Sequence, residues 1–235
     1  MQPIYLYLIL FTPFFPILLS FDKRVNFVSR WKYAILSAIL IAIPYLIWDE
    51  IFTENGYWGF NPDYLTGIYL GELPIEEASF FFVVPFACTF IHECVKYYFR
   101  NSDLNVFNHI FWLAITIYAI VVGTAGLGGW YTSTAIGLGL VLIVFLFLKR
   151  KQYTFIPLAF SFSMIPFLLV NGILTGSFLD NPIVWYNETQ FSTWRMFTIP
   201  FEDVIYGFGL IVLNIMLVEY MINRAKQKSS AANPS

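Results

Sequence analysis

The sequence predicts an all-α integral membrane protein: a seven-transmembrane helical bundle made of two parallel three-helix repeats joined by a linking helix. Three observations predict it. Of 235 residues, 58% are apolar and 12% charged, a balance that ordinary soluble domains do not show. The apolar residues gather in seven runs, about 3–21, 31–48, 75–95, 107–126, 131–148, 153–174 and 201–222, each near the roughly 20 residues that cross a hydrocarbon core. An acidic signature also occurs twice, as Pro74-Ile75-Glu76-Glu77 and Pro200-Phe201-Glu202-Asp203, each time opening an apolar run.

The first run is closed by Asp22-Lys23-Arg24 and has no basic stretch before it, so it reads as a retained span and not a cleaved signal. With the second it makes a helical hairpin, in which Pro13, Pro16 and Pro44 are kinks that neighbouring helices can satisfy. The stretch from Asp49 to Leu73 is the longest outside the spans. Its Gly56-Tyr57-Trp58-Gly59-Phe60-Asn61-Pro62 segment suggests an interfacial or re-entrant lid. The later loop from Ser177 to Ile199 echoes it weakly, with Trp185 15 residues before Pro200 where Trp58 stands 16 before Pro74. The fourth run leads into Gly123-Thr124-Ala125-Gly126-Leu127-Gly128-Gly129. No strand precedes these glycines, so they read as close packing and a turn, not a dinucleotide site.

The two signatures are 126 residues apart, and that offset carries the first three spans onto the last three. The division is then residues 1–100, a linking span over 101–127, and 128–235 with a basic tail. Parallel repeats place both acidic pairs at the same face of the membrane, where they can meet across the bundle. Orientation follows from charge. Lys23, Arg24, Arg30 and Lys32, then Lys96 and Arg100, then Lys149, Arg150 and Lys151, and finally Arg224, Lys226 and Lys228 fall in every second loop and the tail. Arg195 is the one basic residue in the other loops. The expected arrangement is a cell-membrane protein with an extracytoplasmic N-terminus and a cytoplasmic C-terminus. The basic tail is a membrane-surface anchor, and no nucleic-acid partner is expected.

Proline followed by acids is an ordinary way to begin a helix, because the N-terminal dipole favours negative charge. The doubling of the signature at matched positions points further, to chemistry. Burying two adjacent carboxyls disfavours charging both, so one holds a proton while its neighbour can act as a base or counter-charge. The candidate catalytic residues are therefore Glu76, Glu77, Glu202 and Asp203. Phe80, Phe81, Phe82, Tyr206 and Phe208 would form a dry aromatic wall beside them, able to stabilise a cation through ring faces. Asn214, near the helical face of Asp203, would line a pocket continuing downward, and Arg195 could pair with an acid. Cys88 and Cys94 read as packing, and His92, Glu93 and Lys96 as a solvated interface cluster rather than a metal site.

Several classes are excluded. A retinal protein needs a lysine within its last span, and there is none; a membrane prenyltransferase needs paired aspartate-rich metal motifs, also missing. No flavin or nicotinamide motif occurs. A proton-coupled transporter remains the alternative class. The signature Pro74-Ile75-Glu76-Glu77 with Ala78-Ser79-Phe80-Phe81-Phe82 after it and Trp58-Gly59-Phe60 before it, and Pro200-Phe201-Glu202-Asp203-Val204-Ile205-Tyr206 in a second three-span unit, resemble the small membrane lycopene cyclases. In that family two homologous subunits act together or are fused into one chain. The resemblance implies a cofactor-independent intramolecular lyase or isomerase that cyclises lycopene, through γ-carotene, to β-carotene. It further implies linear carotenoids and the bilayer as partners, and other enzymes of carotenoid biosynthesis.

Overall fold

The computed structural model describes residues 3–232. Eight α-helices carry the chain: α1 (Ile4–Phe11), α2 (Phe14–Leu19), α3 (Trp31–Glu54), α4 (Ile75–Tyr98), α5 (Asn105–Ala125), α6 (Trp130–Leu148), α7 (Ile156–Leu174) and α8 (Glu202–Ala232). Among the described residues, six of them are long and apolar enough to cross a membrane. The first expected span is instead the broken pair α1 and α2. Pro13 and Pro16 have no amide hydrogen to donate, and the first helix stops at Thr12, whose hydroxyl donates to Leu8 O at 2.8 Å. Pro44, Pro85 and Pro166 leave their helices continuous.

Helix α8 is the centre of the bundle, with α3, α4, α6 and α7 all packed against it, while α5 lies against α6 and α7. Ile205, Phe208, Leu210, Ile211, Val212, Ile215 and Val218 of α8 are almost wholly buried. The outer helices expose apolar side chains, such as Ile35, Leu36, Ile39 and Ile43 of α3, as helices facing lipid do. Glycines let the inner helices approach. A β-carbon on Gly139 of α6 would stand 2.2 Å from Ile205 Cγ2, and one on Gly207 of α8 would stand 2.7 Å from the Phe167 ring. Small residues at such crossings are the usual device of membrane bundles.

Short strands cap one end. β1 (Trp58–Phe60) pairs antiparallel with β4 (Val184–Tyr186), with Gly59 opposite Trp185. Gly59 has to be a glycine, since a β-carbon there would meet the Trp185 ring at 2.4 Å. β2 (Tyr69–Leu70) pairs with β3 (Leu73–Pro74), and β5 (Arg195–Met196) with β6 (Ile199–Pro200), each 126 positions from its counterpart. The expected loop from Asp49 is therefore shorter than predicted, because α3 runs on to Glu54 before the ribbon begins.

At the opposite end, His92 and Glu93 are buried, not solvated. Helix α8 brings Glu219 to within 3.0 Å of His92 Nε2. Lys96 donates to Glu93 at 3.1 Å and to Glu219 as well, and Arg30 lies 3.9 Å from Glu93. A partner on a helix over a hundred residues away is what local spacing could not reveal. Cys88 and Cys94 are free thiols.

The close crossing of α6 and α8 predicts a contrast. Gly139→Ala should lower stability by about 1–3 kcal/mol through overpacking. Gly137→Ala, with nothing within 4 Å of its added carbon, should leave thermal unfolding in detergent nearly unchanged.

Candidate active site

Each acidic signature is built the same way. In the first half, Ile75 N–H donates to Ile68 O at 2.9 Å and the Pro74 backbone is extended, so the chain turns out of the β2–β3 hairpin directly into α4. In the second, Phe201 N–H donates to Trp194 O at 3.1 Å, the same bond 126 residues on. The first acid of each signature then reaches back to its own loop. Glu76 accepts from Thr66 N–H at 2.7 Å, and Glu202 accepts from Ser192 N–H at 2.7 Å. Both span ten residues. Glu202 also accepts from the hydroxyls of Thr132 at 2.6 Å and Ser192 at 3.2 Å. Glu76 is 1% exposed and Glu202 0%.

The second acid of each signature faces inward. Successive residues of an α-helix point about 100° apart, so when the first carboxylate turns to the loop, the next is carried to the bundle interior. Glu77 accepts from the Tyr5 hydroxyl at 2.6 Å. Asp203 accepts from Tyr131 at 2.5 Å, from Asn171 at 2.6 Å and from Tyr186 at 3.0 Å. Tyr131 is the counterpart of Tyr5, 126 residues later. Burial, and next the charge of Asp203, hold the Tyr186 phenol well above its ordinary range, so it stays a donor.

Glu77 and Asp203 line a single cavity of about 50 Å³. Trp58, Phe60, Val184 and Tyr186 of the β1–β4 ribbon close it at one end, Phe80 and Tyr206 form walls, and Asp49 of α3 joins them as a third carboxyl. Aromatic rings surround Tyr206. Trp48, Tyr45, Tyr131 and Trp58 stand 5.0, 5.2, 6.1 and 6.4 Å from it, centroid to centroid, and Tyr131 stacks on Tyr186 at 5.9 Å. The result is a small, aromatic-lined space that three carboxyls share.

Among the residues singled out from the sequence, Glu77, Asp203, Phe80 and Tyr206 meet at this cavity. The others do not line it. Glu76 and Glu202 serve their loops. Phe81 packs behind, 5.9 Å from Tyr45, Phe208 is buried against Phe160 at 5.1 Å, and Phe82 is 37% exposed on the outer face. Asn214 donates to Leu210 O and accepts from Ser37 at 3.1 Å. It ties α8 to α3, since the bundle below the acids is filled by Phe208, Ile211 and Ile215 and no pocket continues there. Arg195 donates to Thr198 O at 2.7 Å and lies over the Phe191 ring at 4.8 Å, without an ion pair to either acid. Tyr5, Asp49, Tyr131, Asn171 and Tyr186 are not among the site residues the sequence suggests, and Trp58 is there only as part of the lid segment and the family signature. The offset applied residue by residue would have linked Tyr5 to Tyr131; the other four have unlike counterparts, Thr175, Val184, Tyr45 and Phe60.

The model of the family described as lycopene cyclase matches the chain twice, over residues 2–95 and 128–221. The chain belongs to the lycopene cyclase family. Both ends of the second match lie 126 residues after those of the first, the offset that relates the paired hydrogen bonds. The cyclase is thus a fused single-chain member, an enzyme of carotenoid substrates set in the membrane by its apolar helices. Searches of curated proteins and of solved structures found no match.

The loop-facing role of the first acid has a measurable signature. Glu202→Gln keeps an acceptor for Ser192 N–H, whereas Glu202→Ala leaves that buried donor unpaired at a cost of about 1–3 kcal/mol. Thermal unfolding of the purified cyclase should therefore separate the two variants, with alanine the less stable.

Proposed function

We propose that the cyclase is a lycopene β-cyclase, converting lycopene to β-carotene through γ-carotene. One observation carries the reading: each repeat contributes one inward carboxyl, Glu77 and Asp203, to the same aromatic-lined cavity. Cyclisation begins when a carboxyl O–H bond breaks and its proton goes to the terminal double bond of the ψ end, leaving a tertiary cation. The next internal double bond supplies the electron pair for the ring C–C bond. A ring C–H bond then returns its electrons to a double bond, and the proton leaves to a carboxylate. Atoms and electrons balance without an oxidant or reductant, so the reaction is an isomerisation and calls for no redox cofactor.

The surroundings suit each stage. Asp203 accepts three hydrogen bonds, the arrangement of a carboxylate positioned to receive the ring proton. Tyr206, Phe80 and Trp58 offer ring faces to the cation, worth up to about 2 kcal/mol where water is excluded. Glu77, held by Tyr5, supplies negative charge from the other repeat. Glu76 and Glu202 position these groups indirectly, by fixing the loops. The β ring, and the pairing with other carotenoid enzymes, follow the family resemblance.

The same reading gives the cyclase two homologous halves, 1–100 and 128–235, joined by 101–127. The cavity lies at the membrane face where α4 and α8 begin. Lys96 lies in the last turn of α4, Lys149–Lys151 follow the end of α6, and Arg224 lies in the far part of α8, which supports a cytoplasmic C-terminus and an extracytoplasmic cavity end.

Expression in a bacterium engineered to accumulate lycopene, with pigments separated by chromatography, tests the reading. Wild type should yield cyclic carotenoid. Asp203→Asn should lower turnover by about 10²–10⁴-fold, the range of lost acid–base catalysis; Glu77→Gln should also lower it, through the lost negative charge, and by more than Glu76→Gln. Unchanged lycopene beside wild-type protein shown to be inserted would overturn it.

A further inference from the structure

Asp49 belongs to neither acidic signature, yet it lies on the same cavity as Glu77 and Asp203. It is 2% exposed, on the last turns of α3. Its Oδ1 accepts from Trp58 Nε1 at 2.6 Å. Its Oδ2 is buried and has no hydrogen-bond partner. A carboxylate oxygen left without a donor in a dry site is costly. Protonation of that oxygen lowers the cost by removing the buried charge.

The other two cavity carboxyls differ in this respect. Glu77 accepts from Tyr5, and both oxygens of Asp203 accept from tyrosine or asparagine donors. Three donors on its two oxygens hold Asp203 as an acceptor, while Glu77 accepts on Oε2 alone and its other oxygen is not fully buried. Asp49 alone of the three has a buried oxygen with no donor. Its counterpart in the second half is Thr175, and that of Trp58 is Val184, so the first half alone supplies this group.

Resting on the lycopene cyclase reading, we propose that Asp49 is the catalytic acid that starts cyclisation. Its Oδ2–H bond breaks, the π pair of the terminal double bond takes the proton at its CH carbon to form the new C–H bond, and the carbon bearing the two methyl groups is left as the tertiary cation. The ring proton released at the end passes to Asp203. Return of that proton to Asp49 within the shared cavity restores both groups, so no proton is consumed. Glu77 and Asp203 then act as the anionic pair facing the cation.

Asp49→Asn separates chemistry from structure, because asparagine keeps an oxygen to accept from Trp58 Nε1. The full-length purified protein serves for two measurements. Infrared spectra in H₂O and D₂O should show the carbonyl stretch of a protonated carboxyl in wild type and in Glu77→Gln, and lack it in Asp49→Asn. Lycopene turnover by Asp49→Asn should fall about 100-fold or more, with thermal unfolding close to wild type. A band that persists in Asp49→Asn and vanishes in Glu77→Gln overturns the proposal, as does an Asp49→Asn protein that cyclises at the wild-type rate. Wild-type protein that leaves lycopene uncyclised overturns the cyclase reading and the proposal with it; activity retained in both wild type and Asp49→Asn overturns the proposal alone.

Discussion

The hydrogen bond from a loop amide to the first carboxylate of each signature is the contact on which the rest of the cavity end depends. Glu76 takes the amide of Thr66, and Glu202 that of Ser192. A helix start in a membrane protein leaves amides that must find partners, and a loop packed against it has the same need. One carboxylate at the first turn answers the loop's need while its charge suits the helix dipole. Helix geometry then decides where the neighbouring carboxylate goes: about 100° round, into the bundle. Adjacent acids thus divide between holding the loop and facing the cavity.

Duplication of this unit builds one site rather than two. The β1–β4 ribbon pairs Gly59 with Trp185, residues 126 apart, and Trp58 and Phe60 with Tyr186 and Val184. Each of these outer pairs maps onto the other under the same offset, so the ribbon sits on a pseudo-two-fold axis between the halves. A cavity beneath it receives one inward acid from each. The symmetry is then broken by side chains. Asp203 has three donors and Glu77 has one, and Asp49 faces the cavity where the second half has Thr175 in the equivalent position. A duplicated scaffold whose lining has diverged thus sets its carboxyls in unlike environments.

Much of this was legible in the chain. Apolar run lengths marked the bundle, since only helices or closed barrels satisfy a backbone in lipid, and the doubled signature marked Glu76, Glu77, Glu202 and Asp203, of which Glu77 and Asp203 line the cavity. What remained hidden depended on tertiary contacts. Nothing local distinguishes Asp49 from an acid at a helix end, because its burial comes from a ribbon made half by residues 184–186. Arg195 was a natural partner for an acid by charge, but the β5–β6 hairpin turns it onto Phe191 and Thr198 O. Asn214 shares a helical face with Asp203 and still serves packing, because Ser37 of α3 meets it first. Pro13 and Pro16 signalled a kink, but the extent of the break between α1 and α2 depends on which neighbours supply donors, and a single span does not show that.

The size of the cavity sets the final constraint. Ligand sites of ordinary size enclose about 300–1,000 Å³, and this one encloses about 50 Å³, so it is too small as it stands for a ligand of that size. Gly139 against Ile205, Gly207 against Phe167 and Gly209 against the Tyr45 hydroxyl leave no slack at the crossings with α8. The ribbon is only three residues long on each strand, and two-stranded ribbons of that length have little stability of their own. It also carries Trp58 and Tyr186, the residues that hold Asp49 and Asp203 by hydrogen bonds. The ribbon therefore joins the lining of the cavity to the donors of two of its carboxyls, and a change in one is a change in the other.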